Sequence, residues 1–164
     1  MKLTSKKRAL KSSEAKQLLQ EFKQKFPGST IDPLGKQPVE EVVVDDGKLL
    51  LIGDKTFAIS AGGGIFPSLL NEAVLKTLPS IVVDMGAIPH ICNGADVMRP
   101  GIREILGDFQ REAVVLVKDV RFGKPIAVCV AETSSESMRA MSKGKAARTV
   151  HYVGDRFWEA SKSR

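Results

Sequence analysis

A glycine-rich helix exit, flanked by a cation and an imidazole, is where this sequence could bind a ligand. Asn93 and Gly94 accept the left-handed backbone that ends a helix, and Gly94-Ala95 leaves the chain almost without side-chain cover. His90 precedes this exit and Arg99 follows it. A bare backbone corner of this kind admits a phosphate or a ribose at close range. The alternative is that Gly94 serves only to end the helix, as glycines often do.

A second group of cations precedes the last predicted strand. Lys143, Lys145 and Arg148 cluster there, with Arg139 nearby. Such side chains bind phosphates without reading sequence, and the net charge of +6 favours a polyanionic partner. Residues 1–11 are also basic, which predicts either a solvated chain end or an electrostatic arm. Surface charges that only aid solubility are the alternative for the Lys143 group.

Residues that could serve catalysis or hold a metal form no recognisable motif. His90 and His151 belong to no zinc or hydrolase pattern, and His151 is predicted to be a hydrogen-bonded structural residue. His90 and Cys92 point to different faces of a helix. Cys92 and Cys129 form no C-x-x-C pair and are predicted to be buried free thiols. The sequence therefore predicts no enzyme, no metal site and no cofactor.

Short elements must position the glycine exit. The apolar run at 81–83 predicts a strand, Asp84 predicts an N-cap, and residues 86–92 predict the helix itself. Residues 95–98 are predicted to be extended and 99–101 to form a turn. The order is therefore strand, helix, glycine exit, strand and turn.

The remaining second half predicts a small closed sheet. Two near-continuous apolar strands joined by a tight turn suit the inside of a closed barrel. A short helix with Ser134 or Ser135 as its cap and a last strand follow them. The predicted ranges are irregular chain at 102–110, strands at 112–119, 126–131 and 147–153, and a helix at 134–141.

The first half predicts a separate small unit that ends at Pro79. A helix from Ser12 or Ser13 to Phe26 carries one apolar stripe, which is typical of core packing. Three glycines at 62–64 lack the G-x-x-x-x-G-K-[ST] pattern of a phosphate loop and predict a turn. The other predicted elements are strands at 39–44, 49–52 and 56–59 and a helix at 66–78.

The second half resembles the PUA domain, a small β-barrel named after pseudouridine synthases and archaeosine transglycosylases. The resemblance covers roughly residues 79–158. The order of parts is similar to that of the malignant T-cell-amplified (MCT) type of translation factor and its archaeal counterparts, which carry a small domain before the PUA domain. The matching residues are Asp84, Gly86-Ala87, Gly94-Ala95-Asp96-Val97-Met98, Pro100-Gly101, Gly107-Asp108, Ile126-Ala127-Val128, Lys143-Gly144-Lys145-Ala146, His151-Tyr152, Asp155 and Trp158.

The resemblance implies an α+β fold. Its parts are a small N-terminal (pre-PUA) domain at 1–78, a closed PUA-type β-barrel with short helices at 79–158, and a C-terminal tail at 159–164. It also implies that the short helix, its glycine exit, the next strand and the last strand face RNA. MCT-type relatives often have Asn where Asp96 stands, and a carboxylate cannot donate to phosphate. The implied RNA-binding residues are His90, Asn93, Gly94, Ala95, Arg99, Lys143, Lys145 and Arg148.

Together these features predict a non-enzymatic, cytoplasmic RNA-binding protein that serves translation and recognises a tRNA acceptor end or ribosomal RNA. Aromatic residues make up only 5% of the chain, which favours folded RNA over a single strand that needs stacking platforms. The apolar runs are too short to span a membrane, and no secretory leader is visible. The resemblance implies a ribosomal subunit and a partner translation factor as further partners.

Two alternative functions stay open. The chain could be an adaptor that delivers RNA to a separate modification enzyme, in which case it would co-purify with that enzyme in place of ribosomal subunits. It could also be a protein-interaction module whose N-terminal domain docks a partner. An exposed apolar patch on residues 30–78 would favour the second alternative.

Overall fold

The computed structural model describes residues 7–29 and 37–162. The chain divides into two compact units. The first is Met1–Thr77 with Glu159–Arg164, and the second is Leu78–Trp158. No helix within the described ranges is long and apolar enough to cross a membrane.

Within the described residues, the first unit is an antiparallel sheet of five strands and a long helix. Its elements are β1 (Lys7–Ala9), α1 (Ser12–Lys25), β2 (Val39–Val44), β3 (Gly47–Ile52), β4 (Lys55–Ala61), β5 (Gly64–Pro67) and α2 (Glu72–Leu75). Each strand pairs with the next one along the chain. Leu19 and Phe22 of α1 are buried, and the Phe22 ring meets Phe57 edge-on with centroids 5.3 Å apart. The predicted apolar stripe of the helix is therefore confirmed as core.

The helix predicted at 66–78 is wrong at its start. The segment begins with strand β5, in which Pro67 pairs with Ala58 of β4. An edge strand tolerates a proline because the missing N–H removes no ladder hydrogen bond on its outer side. Helix α2 begins later, where the Asn71 side chain accepts a hydrogen bond from the Val74 amide at 3.4 Å.

The cap predicted for helix α1 is also wrong, since Ser12 and Ser13 lie inside the helix. Lys11 holds the cap position with extended backbone, at φ −64° and ψ 153°. The Glu14 side chain closes this end by accepting from the Lys11 amide at 3.1 Å, and that bond lowers the pKa of Glu14. The acid in the first turn thus does the work that was predicted for a serine.

One mixed sheet and several short helices form the second unit. The elements are β6 (Ser80–Val83), α3 (Ile88–Ile91), β7 (Val97–Met98), β8 (Ile102–Leu106), β9 (Val114–Asp119), β10 (Pro125–Ala131), α4 (Ser135–Ala140), β11 (Lys145–Tyr152) and the start of α5 (Arg156–Lys162). The strand order is β7-β11-β10-β9-β6-β8. Strands β6 and β9 run parallel, and the other neighbours run antiparallel.

The predicted caps of the second unit are confirmed. The Asp84 side chain accepts from the Gly86 amide at 3.1 Å, and Ser134 accepts from the Ser137 amide at 3.2 Å. The Gly86 amide, with the Arg103 guanidinium as a weaker cause, lowers the pKa of Asp84. Both caps satisfy amides that the first turn of a helix leaves without partners.

Two expectations for this unit need correction. The segment 102–110 is not irregular throughout, because residues 102–106 form β8 against β6. The alternation of apolar and polar residues that marks a strand is interrupted here, because the adjacent Arg103 and Glu104 are both exposed. Pairing with β6, rather than a local pattern, therefore defines the strand. The closed barrel is not confirmed either, because the hydrogen-bonded order of the described residues ends at β7 on one side and at β8 on the other. The result is an α+β fold with a mixed half-barrel sheet.

Candidate nucleic-acid interface

The glycine exit after helix α3 is open to solvent. Gly94 has a φ of +93°, in the left-handed region that glycine enters without strain. The His90 carbonyl accepts hydrogen bonds from the amides of Asn93 and Ala95 at 3.1 and 3.0 Å. These four exposed residues form what we call the Gly94 corner. Because the amides of Asn93, Gly94 and Ala95 bond within the protein, a ligand here would bond to side chains and use the bare glycine for close approach.

A tyrosine lies directly behind this corner. A Cβ atom placed on Gly94 would stand 3.5 Å from the Tyr152 hydroxyl and 3.8 Å from the ring atom Cε1. Tyr152 is only half-buried, so its hydroxyl is a polar group beside the bare backbone. Glycine at this position therefore keeps both the left-handed turn and the access to the phenol.

Asp96 ties the segment after the corner to strand β11. Its carboxylate accepts from the Thr149 amide at 3.0 Å and pairs with the Lys145 ammonium at 3.0 Å. The Thr149 hydroxyl donates to the Ala95 carbonyl at 2.9 Å. The hydrogen bond that Lys145 donates to Asp96 raises the pKa of Lys145. Asp96 therefore holds the corner in place, and its negative charge is offset by Lys145.

The predicted cations Lys143 and Lys145 lie together but differ in their contacts. Both are exposed, and strand β11 begins at Lys145, which is paired in register with Met98 of β7. Lys145 shares its charge with Asp96, whereas Lys143 makes no ion pair with any residue in the described ranges. Lys143 is thus the member of the pair whose charge no acid of the described residues offsets.

Arg99 is half-buried and bonds to the protein backbone. Its Nε donates to the Met138 carbonyl at 2.7 Å, and its Nη1 donates to the Ile102 carbonyl at 3.3 Å. Its own amide donates to the Gly144 carbonyl at 2.8 Å. These bonds join the end of α4 to the start of β8 and fix the turn that carries Lys143. A contact between Arg99 and RNA stays a prediction that would rely on its remaining N–H groups.

Arg148 pairs with a different acid from Lys145, although the two cations lie near enough to repel each other. Consecutive side chains of a strand leave opposite faces, and Arg148 is paired with Val130 while Thr149 is paired with Cys129. Thr149 faces the corner segment, so Arg148 leaves the other face and pairs with Glu112 at 3.3 Å. The structure therefore separates Arg148 from the contacts that Asp96 makes.

His151 is a buried structural residue, as predicted. Its Nδ1 lies 2.8 Å from an Asp155 carboxylate oxygen, and its ring meets Phe157 edge-on with centroids 5.9 Å apart. Asp155 also accepts from the amides of Tyr152 and Trp158, at 2.9 and 2.8 Å. This network fixes the end of β11 and leaves His151 no access to a substrate.

The cysteines are free thiols. Cys129 is buried, whereas Cys92 is half-buried. The predicted burial is therefore confirmed for Cys129 and not for Cys92. Burial raises the pKa of Cys129 to about 12 and also raises that of Cys92. Both thiols therefore stay protonated and are poor nucleophiles at neutral pH. Over residues 7–29 and 37–162, no cluster of three or more histidine, cysteine or acidic side chains could hold a metal ion.

The apolar docking patch considered for residues 30–78 is not found in its described part. Val43 and Leu70 are the exposed large apolar side chains of residues 37–78, at 47% and 43%. Val43 lies on β2 and Leu70 follows β5, with β3 and β4 between those strands. Residues 30–36 of that segment lie outside the described ranges. The described surface therefore does not favour the protein-interaction module.

Sequence reasoning missed Tyr152 and Thr149 as parts of the site. Both reach the corner through the fold, and the Thr149 amide bonds to an acid 53 positions away in the chain. A contact over that separation leaves no local pattern. The one available signal was that Tyr152 is among the residues that resemble the PUA domain.

Comparison with known proteins gives a consistent family. Residues 79–153 match the PUA domain family. An uncharacterized protein of Methanocaldococcus jannaschii is 39% identical over 126 residues, which cover 75% of this chain and 76% of that protein. Malignant T-cell-amplified sequence 2 of Homo sapiens is 30% identical over 161 residues, covering 91% of this chain and 88% of that protein. Translation machinery-associated protein 20 of Eremothecium gossypii is 25% identical over 165 residues, covering 93% and 91%.

The fold agrees with these sequence relationships. The crystal structure of a hypothetical protein from Pyrococcus horikoshii superposes with a TM-score of 0.79 at 28% identity, covering 95% of this chain and 99% of that one. The similarity thus extends over both units and not only over the PUA region. From its PUA match and its full-length relatives, we conclude that the chain belongs to the family of PUA-domain proteins that includes Malignant T-cell-amplified sequence 2.

Proposed function

We propose that the chain is a non-enzymatic RNA-binding protein of the translation machinery that grips folded RNA at the Gly94 corner. A PUA domain indicates RNA binding, and the relatives include a protein named for its association with the translation machinery. The observation that carries the proposal is the open corner itself, which Asp96 and Thr149 hold against β11. Asp96 also pairs with Lys145, two residues after the exposed Lys143.

The RNA in this proposal is structured, either a tRNA acceptor end or a ribosomal RNA helix. The corner offers the side chains of His90 and Asn93 and the Tyr152 hydroxyl around a bare backbone, which suits a ribose or phosphate. The Lys145 ammonium lies 3.0 Å from the Asp96 carboxylate, two residues after Gly94, and Lys143 is exposed two residues before Lys145. A bare backbone corner with cations on the chain next to it suits the sugar-phosphate backbone of a folded RNA.

We propose further that a pre-PUA domain at 1–78 and a PUA domain at 79–158 work together on a ribosomal subunit with a partner translation factor. Support comes from the human relative, which aligns with 91% of this chain and so with both halves. Relatives associated with the translation machinery also favour the predicted cytoplasmic location. No residue in this proposal has a catalytic role.

The test is a charge reversal of Lys143, which makes no ion pair among the described residues. In a filter-binding titration with tRNA, Lys143→Glu should weaken binding by more than about 1 kcal/mol. The slope of log affinity against log salt should fall by about one or more, because fewer counterions are released. Lys143 is exposed, so the fold should not change.

Lys55→Glu provides the matched control. Lys55 is exposed at the start of β4 in the other unit, so the variant has the same net charge without touching the proposed site. Equal losses for the two variants would show that only net charge matters. Unchanged affinity for Lys143→Glu would contradict the proposed interface.

A further inference from the structure

We infer that the turn between β9 and β10 is a second RNA contact that takes an unpaired nucleotide. The inference rests on the proposed RNA-binding function and adds a site with a different ligand chemistry. Phe122 is 69% exposed, the highest fraction among the large apolar side chains of the described chain. We call residues 118–124, which carry this ring, the hairpin tip.

The hairpin tip holds the ring on a rigid turn. Asp119 is buried, and its carboxylate accepts from the backbone amides of Phe122 and Lys124. The Asp119 amide donates to the Lys124 carbonyl, and the Asp119 carbonyl accepts from the Gly123 amide, both at 3.1 Å. These amides, the Phe122 amide foremost, lower the pKa of Asp119. An exposed aromatic ring held on such a turn offers a surface on which a nucleobase can stack.

The charges around the ring fit a polyanion. The Arg121 guanidinium carbon lies 5.5 Å from the Phe122 ring centroid, and Arg121 and Lys124 are exposed. Lys118 is half-buried beside them. The acid of the tip, Asp119, faces the backbone amides rather than solvent. A base that stacks on the ring would thus have its flanking phosphates near two exposed cations, which is how proteins bind unpaired nucleotides.

The hairpin tip and the Gly94 corner lie at the same end of the sheet. Tyr152, which backs Gly94, is paired with Ala127 near the start of β10. The Val153 amide donates to the Ile126 carbonyl at 3.0 Å, one step closer to the tip. Folded RNA at the corner therefore has the tip beside it, where an unpaired end or bulge could stack.

The experiment compares two RNA probes with the full chain. One is a stem–loop with a four-uridine 3′ overhang, and the other is the same stem–loop with a blunt end. The wild-type protein should bind the overhang probe more tightly. Phe122→Ala should reduce that preference by about 5- to 150-fold, because base stacking on an aromatic ring is lost. Its affinity for the blunt probe should not change.

Two further variants control the result. Val120→Ala shortens another exposed apolar side chain of the same tip, at 42% exposure, and should keep the overhang preference. Phe122→Trp keeps an aromatic face and should retain the preference for the overhang probe that Phe122→Ala loses. Equal affinity of the wild type for the two probes, or an unchanged preference in Phe122→Ala, would overturn the inference while leaving the proposed function intact. Failure of the wild type to bind either probe would overturn both.

Discussion

Each unit of the protein sets an acid beside cations, yet the two acids leave different charges for a ligand. Glu41 in the first unit is 10% exposed and pairs with Arg8 at 2.9 Å and with Lys48 at 3.2 Å. Asp96 in the second unit is 32% exposed and pairs with one cation, Lys145, while its other oxygen accepts a backbone amide. Glu41 thus offsets part of the charge of two cations, Arg8 and Lys48. Asp96 offsets one cation and also fixes the backbone at Thr149.

The difference extends to the neighbouring cations. Near Glu41, Lys7 pairs with Glu40 and Asp54. This lysine of the predicted basic arm at 1–11 is therefore engaged in ion pairs within the protein. Residues 1–6 of that arm lie outside the described ranges. In the second unit, Lys143 and Lys124 make no ion pair with any described residue. The first unit also has exposed lysines that make no ion pair with any described residue, such as Lys16 and Lys55. An unpaired cation therefore indicates a phosphate site only together with an open corner near it, and the net charge alone does not locate the site.

The largest effect is expected from Glu41→Gln. Arg8 and Lys48 lose their shared carboxylate, so the free energy of unfolding should fall by about 1–3 kcal/mol. Affinity for tRNA should change little, because the released cations belong to the first unit. Urea unfolding and a tRNA titration measure the two quantities.

Glu21→Gln is the control for that prediction. Glu21 lines the same cavity of about 280 Å³ as Glu41, but it is exposed and pairs with no described residue. A destabilisation as large as that of Glu41→Gln would mean that the cavity's total charge, and not the paired acid, sets stability. A marked gain in tRNA affinity for Glu41→Gln would place RNA on the first unit.

Local patterns were sufficient wherever one short segment defines its own structure. The cap at Asp84, the glycine exit at Gly94 and the apolar strands β9 and β10 each follow from a few adjacent residues. Strand β8 could not be predicted in this way, because exposed Arg103 and Glu104 interrupt its apolar pattern and β6 supplies its order. The misplaced helix start at 66–78 has a similar cause, since Pro67 suits both a first helical turn and an edge strand.

The candidate site was predictable as a set of residues but not as a set of contacts. Gly94 and Lys143 could be chosen from residue type and position. Strand register decides that Asp96 pairs with Lys145 and that Glu112 pairs with Arg148. A sequence gives the number of cations, whereas the register decides which of them stay available.

A smaller effect is expected from Gly94→Ala. Its φ of +93° is unfavourable for alanine, so the unfolding free energy should fall by about 1–2 kcal/mol. The added Cβ would also cover the backbone in front of Tyr152, so tRNA affinity should fall. Gly62→Ala is the matched control, because Gly62 also has a left-handed φ, +57°, and open space around it in the first unit. If both variants lost stability and neither lost affinity, the corner would be a helix stop and nothing more.

The smallest effect is expected from Asp96→Asn, which separates the two tasks of this side chain. The amide oxygen can still accept from the Thr149 amide, while the charge that pairs with Lys145 is gone. Lys145 is then free for phosphate, so the salt dependence of tRNA binding should steepen by up to about one unit of log–log slope.

Because Asp96 raises the pKa of Lys145, the pair's contribution to stability is present below the ordinary value of 10.5 and is lost as the pH rises through the raised value. Wild type and variant should therefore converge in stability at strongly alkaline pH.

Asp108→Asn makes the same chemical change at another acid that pairs with a cation. Arg139, the partner of Asp108, keeps its bonds to the carbonyls of Ile105 and Gly107, so this variant should leave the salt slope unchanged. Steepening in Asp96→Asn alone would show that ion pairing withholds Lys145 from RNA. An unchanged slope in Asp96→Asn would mean that Lys145 already reaches phosphate despite its acid. In that case the contrast between paired and unpaired cations would not locate the interface, and the shape of the Gly94 corner would have to account for binding without it.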